Sequence, residues 1–256
     1  MPDELLERLR RFKEDAFPQY RAQFQQLVDD GQQPLTLFIG CSDSRIVPYL
    51  LTGAGPGELF LVRNVGAFVP PYDQYLDCPQ DAVGVGPPKG LTQLGAARRW
   101  VGFHGTAAAI EFAVLSLSVK RIVVCGHSHC GAIRALYGEV PPAAQNLVRW
   151  LELGREAVLP VADPGPEVLR RTEQRAIVLQ LERLMDYPMV RERVEAGSLT
   201  LHGWHYVIED GEVHVFDVRR GGFVPASQAD NAGTGPYAPH DPSTYLVASG
   251  VPTAGD

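Results

Sequence analysis

Cysteine is scarce in this chain. Four among 256 residues, at positions 41, 78, 125 and 130, are too few for a disulfide framework. The expected setting is a reducing cytoplasm, where cysteine grouped with histidine points to metal binding or catalysis. Long apolar runs are missing: none approaches the roughly eighteen residues that a membrane helix needs. The opening stretch MPDELLERLRRFKED is charged and amphipathic, so no secretory signal is expected. Positive charge is also short. A formal net charge of −7 and a pI near 5.5 argue against nucleic-acid or anionic-membrane partners, while leaving room for a local basic pocket. No internal repeat is visible.

What is present is ordinary for a globular protein: 45% hydrophobic and 21% charged residues, and length enough for a full core. Residues 3–30 read as a helical arm. Leu5, Leu6, Leu9, Phe12, Phe17 and Phe24 fall roughly on one face, and a break is expected at Pro18. PLTLFIG, GELFLVRNVG and RIVVCG read as buried strands. GTAAAIEFAVLSLSV reads as a helix with Thr106 as its N-cap. HCGAIRALYG turns into a helix, and 166–195 is helical with an interruption near Pro188. SLTLHGWHYVIEDGEVHVFDV is two strands about a turn at Asp210-Gly211. Strands alternating with helices predict an α/β fold with a mostly parallel, covered sheet. Two stretches do not fit that core. Residues 71–103, rich in Pro and Gly, look like an insertion. Residues 224–256 look like a C-terminal extension beyond a domain at 1–223.

In such sheets, sites form beyond the carboxyl ends of strands. CSDSR, from Cys41 to Arg45, follows the first strand. HSHC, from His127 to Cys130, follows the third. Cys41, His127 and Cys130 together offer two thiolates and one imidazole. Three ligands with a fourth position open are the pattern of a catalytic zinc site. HxxC alone would say little; its coincidence with CxDxR after another strand end says much more. Asp43 and Arg45 are two apart and can share one side of an extended segment. Held off the metal by Arg45, Asp43 would orient a zinc-bound water. That water has a pKa of about 7 in the best-studied zinc hydratase. Two thiolates donate more negative charge than imidazoles, so activity rising at mildly alkaline pH is expected. A zinc hydroxide in a small cleft suits an unreactive electrophile such as CO2.

CSDSR, RNVGA, AAIEFAV and GHSHCGA together resemble the β-class carbonic anhydrases, over about residues 1–70 and 104–220. The resemblance implies a zinc enzyme, with one Zn2+ per subunit, that interconverts CO2 and bicarbonate. It implies one antiparallel edge strand on the parallel sheet and a homodimer or higher homo-oligomer. It assigns the metal to Cys41, His127 and Cys130, and the catalytic dyad to Asp43 and Arg45. In a closed state of some members, the aspartate itself ligates zinc. A bicarbonate site that favours that state matches Phe38, Arg63 and Tyr206, with Phe38 where the family has Trp; Phe lacks the indole N–H. Gln32 matches a donor toward substrate, from across the dimer. IVVCGHSHCGA, LHGWHYVIEDGEVHVFD and YAPH resemble more specifically the carboxysomal enzymes of cyanobacteria. That adds a carboxysome shell or scaffold partner for the tail to the expectations.

Other residues receive blander readings. His129 is a solvated loop residue before it is a proton shuttle. His205, between Trp204 and Tyr206, faces away from the site. Cys125 is core, and Cys78 lies in the insertion. The motifs do not separate CO2 from carbonyl sulfide or carbon disulfide. A non-catalytic zinc scaffold is the competing class, and it would need neither Asp43 nor Arg45.

Overall fold

A computed structural model describes residues 3–72, 104–161 and 163–229. The expected insertion and tail lie almost wholly outside the described residues. Six strands form one sheet: β1 (Thr36–Cys41), β2 (Leu59–Asn64), β3 (Arg121–His127), β4 (Thr200–Val207), β5 (Glu212–Asp217) and β6 (Gly222–Pro225). Their spatial order is β2-β1-β3-β4-β5-β6. The first four pair in parallel, and β4–β5 and β5–β6 pair antiparallel. The mostly parallel sheet and its antiparallel edge are therefore as expected. The final strand runs to Pro225, two residues into the stretch read as the extension.

The helices are α1 (Glu4–Arg11), α2 (Phe17–Asp29), α3 (Pro48–Thr52), α4 (Gly105–Glu111), α5 (Gly131–Ala135), α6 (Gln145–Leu151), α7 (Pro166–Asp186) and α8 (Pro188–Glu195). Asp3 caps α1 by accepting the Leu5 N–H at 3.0 Å. Pro18 lies in the first turn of α2, where a missing N–H costs little. The irregularity expected there is a π-helical turn, Phe12–Ala16, just before it. Thr106 is not the cap of α4. The cap position is His104, and the Thr106 hydroxyl, buried in the first turn, accepts a hydrogen bond from Asn64 Nδ2 at 3.1 Å.

The 21-residue α7 covers one sheet face. Its inward side presents Ala176, Ile177, Leu181 and Leu184, spaced as an amphipathic helix requires. Gly126 on β3 and Gly203 on β4 let this helix come close. A Cβ at Gly126 would stand 2.8 Å from Ile177 Cδ1, and one at Gly203 2.9 Å from Ile177 Cγ2. Ile177 thus wedges into a groove without side chains. The opposite sheet face holds Phe38, Val123 and Cys125, with Trp204 and Tyr206 half-buried against them.

Register places the site. Cys41 pairs with Asn64, Gly40 with Cys125, and His127 with Tyr206. The parallel strands therefore end in one row, and the turns that leave them share one edge of the sheet.

Candidate metal centre

Cys41 closes β1 and His127 closes β3, while Cys130 begins the turn into α5. All three are buried, and their Sγ, imidazole N and Sγ atoms lie within 4.8 Å of one another. The donors of a tetrahedral zinc, at about 2.0–2.3 Å from the ion, stand about 3.5–4 Å apart, so the triangle has the right scale. His127 Nδ1 donates to the Ser128 carbonyl at 2.9 Å. That fixes the tautomer and turns the Nε2 lone pair toward the thiols. His127 Nε2 is fully buried with no hydrogen-bond partner. A buried acceptor without a donor, beside two thiols, fits a metal ion.

The two thiols perturb each other. A hydrogen bond from Cys130 pulls the Cys41 thiol well below its usual value, and the same contact pushes Cys130 up. The Gly66 N–H approaches Cys41 Sγ at 3.4 Å and further favours its thiolate. Gly66 sits at φ +84° in the turn after β2, and Asn64 clamps that turn through both the N–H and the carbonyl of Phe68 at 2.8 Å. Cys125, by contrast, is pushed up to about 12 by burial and is an inert core thiol, as expected.

Asp43 and Arg45 border the triangle. Arg45 Nε reaches Asp43 Oδ1 at 2.9 Å and Arg45 Nη2 reaches Oδ2 at 2.7 Å, while the Arg45 N–H also donates to Oδ1. These hydrogen bonds hold the Asp43 carboxyl well below the usual carboxylate range. Asp43 Oδ2 is 3.9 Å from His127 Nε2. Arg45 Nη2 also donates to the His129 carbonyl at 3.1 Å, which ties the two loops together. His129 has φ +57°, and its ring meets Glu209 at 3.3 Å in the open.

The four residues read as a bicarbonate or substrate pocket are more dispersed. Phe38 is fully buried, edge-on to Trp204, in an apolar cluster that includes Tyr206. Arg63 is exposed, and its guanidinium donates to the Cys41 carbonyl at 3.0 Å and the Asp43 carbonyl at 2.7 Å. Gln32 is an exposed residue of the link between α2 and β1.

Three supports were not foreseen from sequence. Glu173 accepts the Cys130 N–H at 3.1 Å and faces His205 Nε2 at 3.0 Å. Glu209 accepts the Ser128 hydroxyl at 2.6 Å, and Asn64 clamps the Gly66 turn. The readable signal was Glu173 itself, an acid on the apolar stripe of α7. A cavity of about 10 Å³ lies beside His127 and Cys130, walled in part by Ala67, Val124 and Ile177.

Fold and site together define an α/β protein with a buried Cys-His-Cys triangle, fit for a metal ion, at the carboxyl edge of its sheet. Comparison with known proteins carries this further. The carbonic anhydrase family model matches residues 36–213. A carbonic anhydrase of Synechocystis is 36% identical over 253 residues, covering 95% of this chain and 82% of its own. One from Synechococcus elongatus is 36% identical over 219 residues, covering 82% and 69%. The solved structure of the β-carbonic anhydrase CcaA superposes with a TM-score of 0.72 at 34% identity, covering 89% of this chain and 93% of that one. The chain belongs to the β-carbonic anhydrases.

Proposed function

We propose that this protein holds one Zn2+ per subunit on Cys41, His127 and Cys130 and hydrates CO2 reversibly to bicarbonate and a proton. The observation that carries the reading is the Asp43–Arg45 pair. A structural metal site has no use for a bidentate pair beside an open coordination position. When bound, the zinc supplies the Lewis acidity that makes water a nucleophile near neutral pH. Arg45 holds Asp43 turned away from the triangle. Asp43 Oδ2, already ionised, then accepts a hydrogen bond from the reacting water and fixes its orientation. If Arg45 let go, the same carboxylate, 3.9 Å from His127 Nε2, would be free to turn toward Cys41, His127 and Cys130 and close the site.

Several outer parts of the reading follow. Phe38, Arg63 and Tyr206 remain our assignment for bicarbonate, and Gln32 for a donor from a second subunit. A homodimer or larger assembly is supported by α1, whose Leu5, Leu6 and Leu9 are 68%, 45% and 64% exposed. A solved relative from Sordaria macrospora, TM-score 0.60 at 26% identity, is described as tetrameric. The cytoplasm is the proposed location, with a carboxysome partner for residues 224–256 suggested by cyanobacterial kinship. No helix among the described residues is long and apolar enough to cross a membrane.

The test is stopped-flow CO2 hydration by zinc-loaded protein from pH 7 to 9. Activity rising with pH supports the reading. Bound zinc with no hydration across that range would sink it in favour of a scaffold or another substrate.

A further inference from the structure

The Cys130 turn is held from behind by an acid that the reaction itself does not touch. Glu173 on α7 is 4% exposed. One of its oxygens accepts the Cys130 N–H at 3.1 Å, and the other faces His205 Nε2 at 3.0 Å. His205, on β4, is fully buried. A chain seldom buries a carboxylate without reason, because taking its charge out of water costs several kcal/mol. Here the acid is brought to its place by the close approach of α7 to the sheet. Ile177, one helical turn on, wedges over Gly126 and Gly203, and Gly126 is the residue before His127. The same helix contact thus fixes both the His127 end of β3 and the Cys130 turn.

Resting on the metal-site reading above, we propose that Glu173, steadied by His205, is a positioning residue for Cys130. Its carboxylate takes the Cys130 amide and sets where the thiolate points. The imidazole keeps the carboxylate from rotating away. Removing the carboxylate frees the Cys130 amide and lets Sγ leave the triangle. Supports of this kind typically govern metal affinity by about tenfold to a hundredfold.

The experiment loads the full chain with Co2+ and reads its visible ligand-field and thiolate charge-transfer bands. Zn2+ affinity is measured alongside by competition with a chromophoric chelator. Glu173→Ala is expected to lose Zn2+ affinity about tenfold to a hundredfold and to shift the Co2+ bands. Glu173→Gln keeps an acceptor for the amide and is expected to restore most of both. His205→Asn is expected to fall between. Gln180→Met is the control. It removes another buried polar group of α7, whose hydrogen bonds go to Val69, Ala176 and Arg183 and not to Cys41, His127 or Cys130. It should lower the melting temperature and leave the Co2+ spectrum unchanged. Wild-type bands and affinity in both Glu173→Ala and His205→Asn would overturn the inference, as would an equal spectral shift in Gln180→Met. Should Glu173→Ala not fold, the His205→Asn and Glu173→Gln spectra decide alone: wild-type bands in His205→Asn overturn it. A wild-type chain that binds no Co2+ or Zn2+ instead overturns the metal reading, and this inference with it.

Discussion

The candidate ligands and the charged pair beside them differ in their access to water. In CSDSR, the side chains of Asp43 and Arg45 are 18% and 46% exposed. His127 is fully buried, and Cys41 and Cys130, one from each loop, are nearly so. The supports of the two loops, CSDSR and HSHC, differ as well. The first loop is stiffened from the surface by Arg63, whose guanidinium holds two of its carbonyls. The second is held from inside by Glu173, which takes the Cys130 amide, and at the surface by the half-exposed Glu209, which accepts the Ser128 hydroxyl. Under the proposed function the difference would separate two tasks. Holding an ion requires fixed donors shielded from competing water. Handling the reacting water requires a charged pair that solvent can reach.

The division can be broken from the buried side first. His127→Ala or Cys130→Ser should strip the metal and lower CO2 hydration by more than about a thousandfold, read by elemental analysis and stopped flow. Asp43→Asn tests the exposed side. It should keep its metal while kcat falls about a hundredfold to a thousandfold, within the range of a lost proton-handling group. Loss of metal in this variant would erase the distinction between the ligands and the charged pair. Arg63→Met leaves two carbonyls without their donor. A stability loss of about 1–2 kcal/mol in chemical denaturation and a smaller drop in kcat are expected.

Acid titration sharpens the comparison further. Arg45 depresses the pKa of Asp43, so the stabilisation this pair gives is fully present above about pH 4, the unfolded carboxylate value. It is lost as pH falls through the lower folded value. Denaturation of wild type and Asp43→Asn should therefore differ by a constant amount from pH 5 to 8 and converge in strong acid. A difference that changed between pH 5 and 8 would mean that Asp43 titrates in the working range. The smallest effect belongs to His129→Ala. Its ring lies outside on Glu209, and kcat should change by less than about twofold, the scale of a surface substitution. A larger fall, relieved by added imidazole, would make His129 a proton carrier.

Much of this was legible in the chain. Strand ends could be read because short apolar runs stop at Gly or polar residues, and so CSDSR and HSHC could be placed on one sheet edge. Pro188 and the Asp210-Gly211 turn fell where local chemistry put them. Thr106 misled because a hydroxyl before an Ala-rich run fits both a cap and an inward hydrogen bond. Only the position of Asn64 decides between them. His205 was correctly turned away from Tyr206 by strand alternation, yet alternation says nothing of what lies on the far side. Its link to Cys130 runs through Glu173, from a helix that starts 36 residues after the cysteine.

The sequence by itself determined the candidate ligand types, their spacing and the elements that carry them, because these depend on side-chain chemistry and local periodicity. It also carried the pairing of an acid with an arginine two residues on. Tertiary structure alone decided that Arg45 also reaches the His129 carbonyl, that Arg63 turns to backbone carbonyls, and that Glu173 stands behind Cys130. Those outcomes rest on how closely α7 approaches the sheet and on the register of β1 with β2 and β3. Both are set by packing between segments far apart in the chain, where no local pattern reaches.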